Sequence, residues 1–89
     1  MNWDYQIEDS ARLDLHQLGP AAAVEIRRFL NGRVRGANDP RQFGKPLRGP
    51  LHGLWRYRVR DWRILCRLED SRLIVMVVQV AHRSTAYDG

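Results

Sequence analysis

The sequence predicts an α+β domain in the order β-α-α-β-β-β, a helical hairpin packed on a small antiparallel sheet. Three patterns carry that prediction. Residues 54–68, LWRYRVRDWRILCRL, alternate apolar and cationic side chains with a period of two, the mark of strands with one buried face. Residues 11–34 repeat apolar side chains at helical spacing on either side of a Gly19-Pro20 break. Residues 73–81 are apolar on both faces, which places that strand inside the sheet. Two such layers enclose one core.

Taken in order, Trp3 to Ile7 alternates through Trp3, Tyr5 and Ile7 and reads as the first strand. Asp9 or Ser10 is suited to cap a helix over Ala11 to Leu18, with Ala11, Leu15 and Leu18 on one face. Gly19-Pro20 ends that helix and opens the next, because proline is accepted at a first helical position. The second helix runs to about Val34 and turns Ala22, Ile26, Phe29 or Leu30, and Val34 inward, with Arg27, Arg28, Arg33 and Arg35 on or beside its outer surface. Gly36 to Pro40 is a loop, and Arg41 to Pro50 is irregular. A hairpin then turns at Arg60-Asp61, pairing Val59 with Trp62, Arg58 with Arg63, Tyr57 with Ile64 and Arg56 with Leu65. A turn at Glu69-Asp70-Ser71 leads to the last strand, Leu73 to Ala81.

Folding the hairpin in that register puts Trp55, Tyr57, Val59, Trp62, Ile64 and Cys66 on one face, where they read as packing residues. Arg56, Arg58 and Arg63 share the other. Like charges directly opposite one another destabilise a sheet. A solvated strand face is the ordinary explanation for such alternation, but two features weigh against it. This face has no acidic cross-strand partner. The charge is also local: of the net +5, residues 41–67 carry +7 and the flanking segments −1 each. That asymmetry marks a binding surface for something anionic, and the planar guanidinium fork suits phosphate, with a nucleic-acid backbone the leading ligand.

Composition bounds the rest. Eighty-nine residues make one small domain that buries about two-thirds of its unfolded surface. The longest apolar run is too short for a membrane span. Met1-Asn2-Trp3-Asp4 lacks the cationic start and apolar stretch of a signal peptide. One cysteine, Cys66, forms no internal disulfide and reads as core filler, so the chain is expected in the cytoplasm, without a membrane partner. His16, His52 and His82 lack metal-ligand spacing, so neither metal nor other cofactor is expected. If the last strand neighbours the hairpin, His82 and Arg83 emerge near Arg56, Arg58 and Arg63. Such a site would hold a phosphate beside a titratable imidazole and the Tyr87 phenol. RNA cleaves itself when a 2′-hydroxyl attacks the adjacent phosphate. An enzyme must orient that attack, stabilise the added negative charge and move protons.

Phe43-Gly44-Lys45-Pro46-Leu47-Arg48-Gly49, Leu54-Trp55-Arg56-Tyr57-Arg58-Val59, Trp62-Arg63-Ile64-Leu65, and Val80-Ala81-His82-Arg83 with Tyr87 together resemble the RelE branch of the RelE/ParE toxin superfamily. With the helical hairpin and the Ala37-Asn38-Asp39-Pro40 loop, the resemblance spans nearly the whole chain. It implies the toxin half of a bacterial toxin–antitoxin pair. The activity implied is an endoribonuclease that cuts mRNA in the A site of the 70S ribosome without metal, leaving a 2′,3′-cyclic phosphate and a 5′-hydroxyl. The implied partners are mRNA, the ribosome and a small acidic RelB-like antitoxin, with operator DNA reached only through the antitoxin.

The family's catalytic set falls on Arg56, Arg58, Arg63, Arg83 and Tyr87. Lys45, Arg48, Arg60 and Arg67 are assigned to binding RNA phosphates. Arginine stands where the family often has lysine, and arginine does not give up a proton, so the general-base role moves to His82 or Tyr87, with Lys45 as a further candidate. The chain stops at Gly89, without room for the C-terminal helix of some relatives, so inhibition is expected to cover the basic face or distort the sheet. Two other readings remain open at this point: a ParE-like gyrase poison, and an inactive antitoxin-binding or corepressor module. The completeness of the arginine set favours the nuclease.

Overall fold

The computed structural model describes residues 2–85 of the 89-residue chain. Strand β1 (Asp4–Ile7) leads into helix α1 (Asp9–Leu18), and Gly19, at φ 99°, turns the chain into α2 (Pro20–Phe29). A π-helical turn over Leu30–Val34 closes α2, with the Arg35 N–H donating to the Leu30 carbonyl. After the loop come β2 (Gly44–Pro46), β3 (Trp55–Val59), β4 (Trp62–Glu69) and β5 (Ile74–His82).

The sheet order is β1-β5-β4-β3-β2. Two features depart from the sequence expectation. β1 pairs parallel with β5, so the sheet is mixed rather than antiparallel. The stretch expected to be irregular contributes a fifth strand, β2, antiparallel to β3 at the sheet edge. An edge position tolerates Pro46, which has no N–H to give to a ladder. Gly44 permits the close approach: a Cβ there would overlap the Arg56 carbonyl oxygen and the Tyr57 and Trp55 rings. The hairpin register is the one the alternation predicts, residue for residue, and Arg60 takes the left-handed φ of 51° that its two-residue turn requires.

Both helices lie on one side of the sheet, α1 along β5 and α2 reaching β3. Ala11, Leu15, Ala22, Ile26, Leu30 and Val34 meet Tyr57, Ile64, Cys66, Val75, Val77 and Val80 in the core. Tyr57 is fully buried, its ring tilted on Phe29 at 5.3 Å and its hydroxyl donating to the Pro40 carbonyl at 2.9 Å. Burial pushes both the Tyr57 hydroxyl and the Cys66 thiol up, so each stays neutral.

Between β4 and β5 the register slips. Leu65 pairs with Gln79 but Cys66 pairs with Val77, leaving Val78 as an extra residue in β5. A bulge leaves backbone groups without ladder partners, and α1 supplies them. The Ser10 hydroxyl donates to the Val78 carbonyl at 2.9 Å, and the Val80 N–H donates to the Asp14 carboxylate at 2.9 Å. Neither Asp9 nor Ser10 caps α1; Glu8 holds the cap position without a side-chain bond. Asp14→Ala should therefore destabilise the protein by about 1–3 kcal/mol, read by urea unfolding, since it strands a part-buried N–H. Asp14→Asn, which keeps an acceptor, should recover much of that loss.

Candidate phosphate-binding face

Side chains directly opposite in a ladder share a face. Lys45 pairs with Arg56 across β2 and β3, and Arg58 pairs with Arg63 across β3 and β4. Arg63 in turn pairs with Ala81 of β5. The face turned away from the helices therefore carries Lys45, Arg56, Arg58 and Arg63, with a small alanine beside them. Leu65, the ladder partner of Arg56, is buried yet stands apart from the helix-side core, as a residue of this outer face should.

Among the described residues, no carboxylate lies within ion-pair distance of Lys45, Arg56, Arg58 or Arg63. Several other arginines are held in ion pairs: Arg35 on Asp4 at 3.0 Å, Arg41 on Asp70 at 2.8 Å, Arg72 on Glu69 at 2.7 Å. The Arg63 guanidinium is held below its ordinary value, first by partial burial and then by repulsion from Arg58, Arg56 and Arg83. It remains a cation at any working pH. A bound phosphate would relieve that repulsion and accept the guanidinium donors in pairs.

Arg83 joins the cluster through the hairpin turn. Its N–H donates to the Asp61 carbonyl at 2.6 Å, and its Nε lies 3.6 Å from the Asp61 carboxylate. His82 does not join. It is the ladder partner of Trp62, which packs toward the core, so the imidazole lies on the helix side, in a groove with Asp14, Gln17 and Leu18. The Val78 bulge is the cause. Counting alternately from Val75 and Val77 would put His82 on the arginine face, and one extra residue reverses the phase. The Ser84 N–H also donates to His82 Nδ1 at 3.1 Å. Nδ1 thus holds the lone pair, and the proton of the neutral ring sits on Nε2.

Arg60 and Arg67, read from the sequence as phosphate contacts, are drawn off by acids. Arg60 Nε lies 3.2 Å from Glu25 of α2, on the helix side. Arg67 bonds Glu8 at 2.9 Å and Glu69 at 3.4 Å. Arg48 is exposed in the loop after β2. Tyr87 lies outside the described residues. Trp55 and Trp62 pack against the core and Tyr57 is part of it, as packing residues should.

Comparison with known proteins fits this geometry to a family. Residues 5–87 match the family described as the ParE toxin of the type II toxin–antitoxin system parDE. The chain is 32% identical over 87 residues to toxin RelG of Mycobacterium tuberculosis, covering 98% of each chain. It is a RelE/ParE-family toxin. Toxin RelE of the same organism is 33% identical over 81 residues, 91% of this chain and 81% of that one. Among solved structures, the RelBE2 toxin–antitoxin complex of M. tuberculosis superposes with a TM-score of 0.82 at 31% identity, covering 93% of this chain and 100% of the other. A conserved hypothetical protein of Helicobacter pylori shares the fold, with a TM-score of 0.64 at 18% identity over 92% of this toxin and 96% of that chain.

The alternation placed Arg56, Arg58 and Arg63 on one face, as the strand pairing has them, but did not show that Lys45 lies beside Arg56. Gly44 and Pro46 hide β2, and only strand pairing places Lys45 beside Arg56.

Proposed function

We propose that this toxin is an endoribonuclease that cuts mRNA in the ribosomal A site and thereby arrests translation. The observation that carries the reading is the unneutralised cluster of Arg56, Arg58 and Arg63, with Arg83 tied beside it by Asp61. Within the same hairpin Arg60 and Arg67 are each held by an acid, whereas these three like charges are set side by side without one among the described residues. In the proposed reaction Arg56 and Arg58 hold the RNA backbone. Arg63 and Arg83 face the non-bridging oxygens, where charge grows as the 2′-oxygen attacks. Tyr87 orients or moves a proton. The products are a 2′,3′-cyclic phosphate and a 5′-hydroxyl.

Primer extension on a defined mRNA tests this in a translation mixture. Cuts within codons that need translating ribosomes support the reading. Cuts on naked RNA keep the nuclease and remove the ribosome. With no cuts in either condition, the gyrase-poison reading would gain and a supercoiling assay would follow.

The toxin's partner is proposed to be a small acidic antitoxin, which would also carry it to operator DNA in the cytoplasm. No helix among the described residues is long and apolar enough to cross a membrane. If the acidic chain covers the arginine face, its association rate should fall steeply, by tenfold or more, between low and physiological salt in stopped-flow measurements. An unchanged rate would shift the contact to the helices, where Leu13 and Val24 are 57% and 53% exposed.

A further inference from the structure

We propose that Lys45 is the proton acceptor of the toxin's reaction, taking the proton from the attacking 2′-hydroxyl. This role rests on the ribonuclease reading and deepens it. The arginine face binds phosphate but contains no guanidinium that can release a proton. His82 lies on the opposite face, and Asp61, the acid whose charge acts on Arg63, is turned to Arg83. Lys45 is the amine of the face. Its ladder position opposite Arg56 fixes its direction, and the tight contact of Gly44 on β3 fixes the strand that carries it. Lys45, Arg56 and Arg58 line one open cavity of about 290 Å³ with Gln42, Phe43 and Gly44, so the amine and two phosphate-binding groups converge on the same space. No carboxylate among the described residues locks the ammonium in an ion pair.

The step balances simply. The neutral amine takes the 2′-hydroxyl proton as the bond from the 2′-oxygen to phosphorus forms. The bond from phosphorus to the 5′-oxygen breaks, the departing oxygen takes a proton from water, and the Lys45 ammonium gives its proton to the hydroxide so formed, restoring the amine. Phosphorus keeps its oxidation state, and no co-reactant is needed.

The discriminating variant is Lys45→Arg, which keeps the charge and removes the removable proton. Single-turnover cleavage of mRNA on programmed 70S ribosomes between about pH 6 and 9 is the readout, beside a ribosome-binding assay and circular dichroism. K45R should bind within a few-fold of the unaltered toxin, fold normally, and cleave about a hundred-fold or more slowly at every pH tested. Cleavage by K45A should be partly restored by added ethylamine. K45R cutting at the unaltered rate would overturn the role and leave the nuclease standing. Failure of the unaltered toxin to cut would overturn the nuclease reading itself, and this role with it.

Discussion

Arg63→Ala and Arg83→Ala should each lower mRNA cleavage by about a hundred- to a thousand-fold and abolish growth arrest, while the protein folds as before. The two halves of this result have different causes. Arg63 sits opposite Arg58 and near Arg56 and Arg83, and its charge is repelled by all three. Removing it relieves that repulsion, so the thermal midpoint should stay level or rise slightly. Removing it also withdraws a donor fork from the place where the phosphorane's negative charge would develop, and nothing else on the face replaces it. Arg83 gives up one exposed contact at 3.6 Å to Asp61, of a kind that contributes little. Its backbone bond to the Asp61 carbonyl survives the substitution. Activity and stability should therefore move apart. Single-turnover cleavage with parallel thermal melts would show it. Undiminished growth arrest by a folded double variant would remove both arginines from the mechanism.

Tyr57→Ala should have the largest effect on stability, a loss of about 3–5 kcal/mol in urea unfolding with an unchanged denaturant slope. Domains of this size hold only about 5–15 kcal/mol in total. The ring is fully buried between the helical layer and the hairpin, against Phe29, with Arg56 and Arg58 on either side of it in the strand. Tyr57→Phe separates packing from hydrogen bonding. It keeps the ring and strands the Pro40 carbonyl, for an expected cost of about 1–3 kcal/mol. No loss in Tyr57→Phe would mean that another donor reaches that carbonyl. Because Tyr57 anchors the strand that presents the arginines, the alanine variant should lose cleavage in step with the folded fraction, unlike Arg63→Ala.

What could be read from the sequence was what local patterns determine. Alternation across Arg60-Asp61 set the hairpin register, and that register set which arginines share a face. The bulge at Val78 left no such trace, because valine suits either face of a strand, so the side of the sheet reached by His82 could not be counted out. Nor does sequence show that Glu25 and Glu8, far along the chain, come to lie on Arg60 and Arg67. Charge sign is a local property; neutralisation is a tertiary one. The direction of β1 was hidden for the same reason, since a strand's pattern is identical whether its neighbour runs with it or against it.

The parallel pairing of β1 with β5 joins the first strand made to the last. Contacts between residues so distant in sequence are slow to form, and here Asp4 must wait for Ile74 to be synthesised. Arg83 follows later still. The helical hairpin and the β3–β4 ribbon can gather early on local contacts, but the sheet is closed only when β1 meets the distant β5. The two-strand ribbon that aligns Arg56, Arg58 and Arg63 can therefore form before the sheet that carries it is closed.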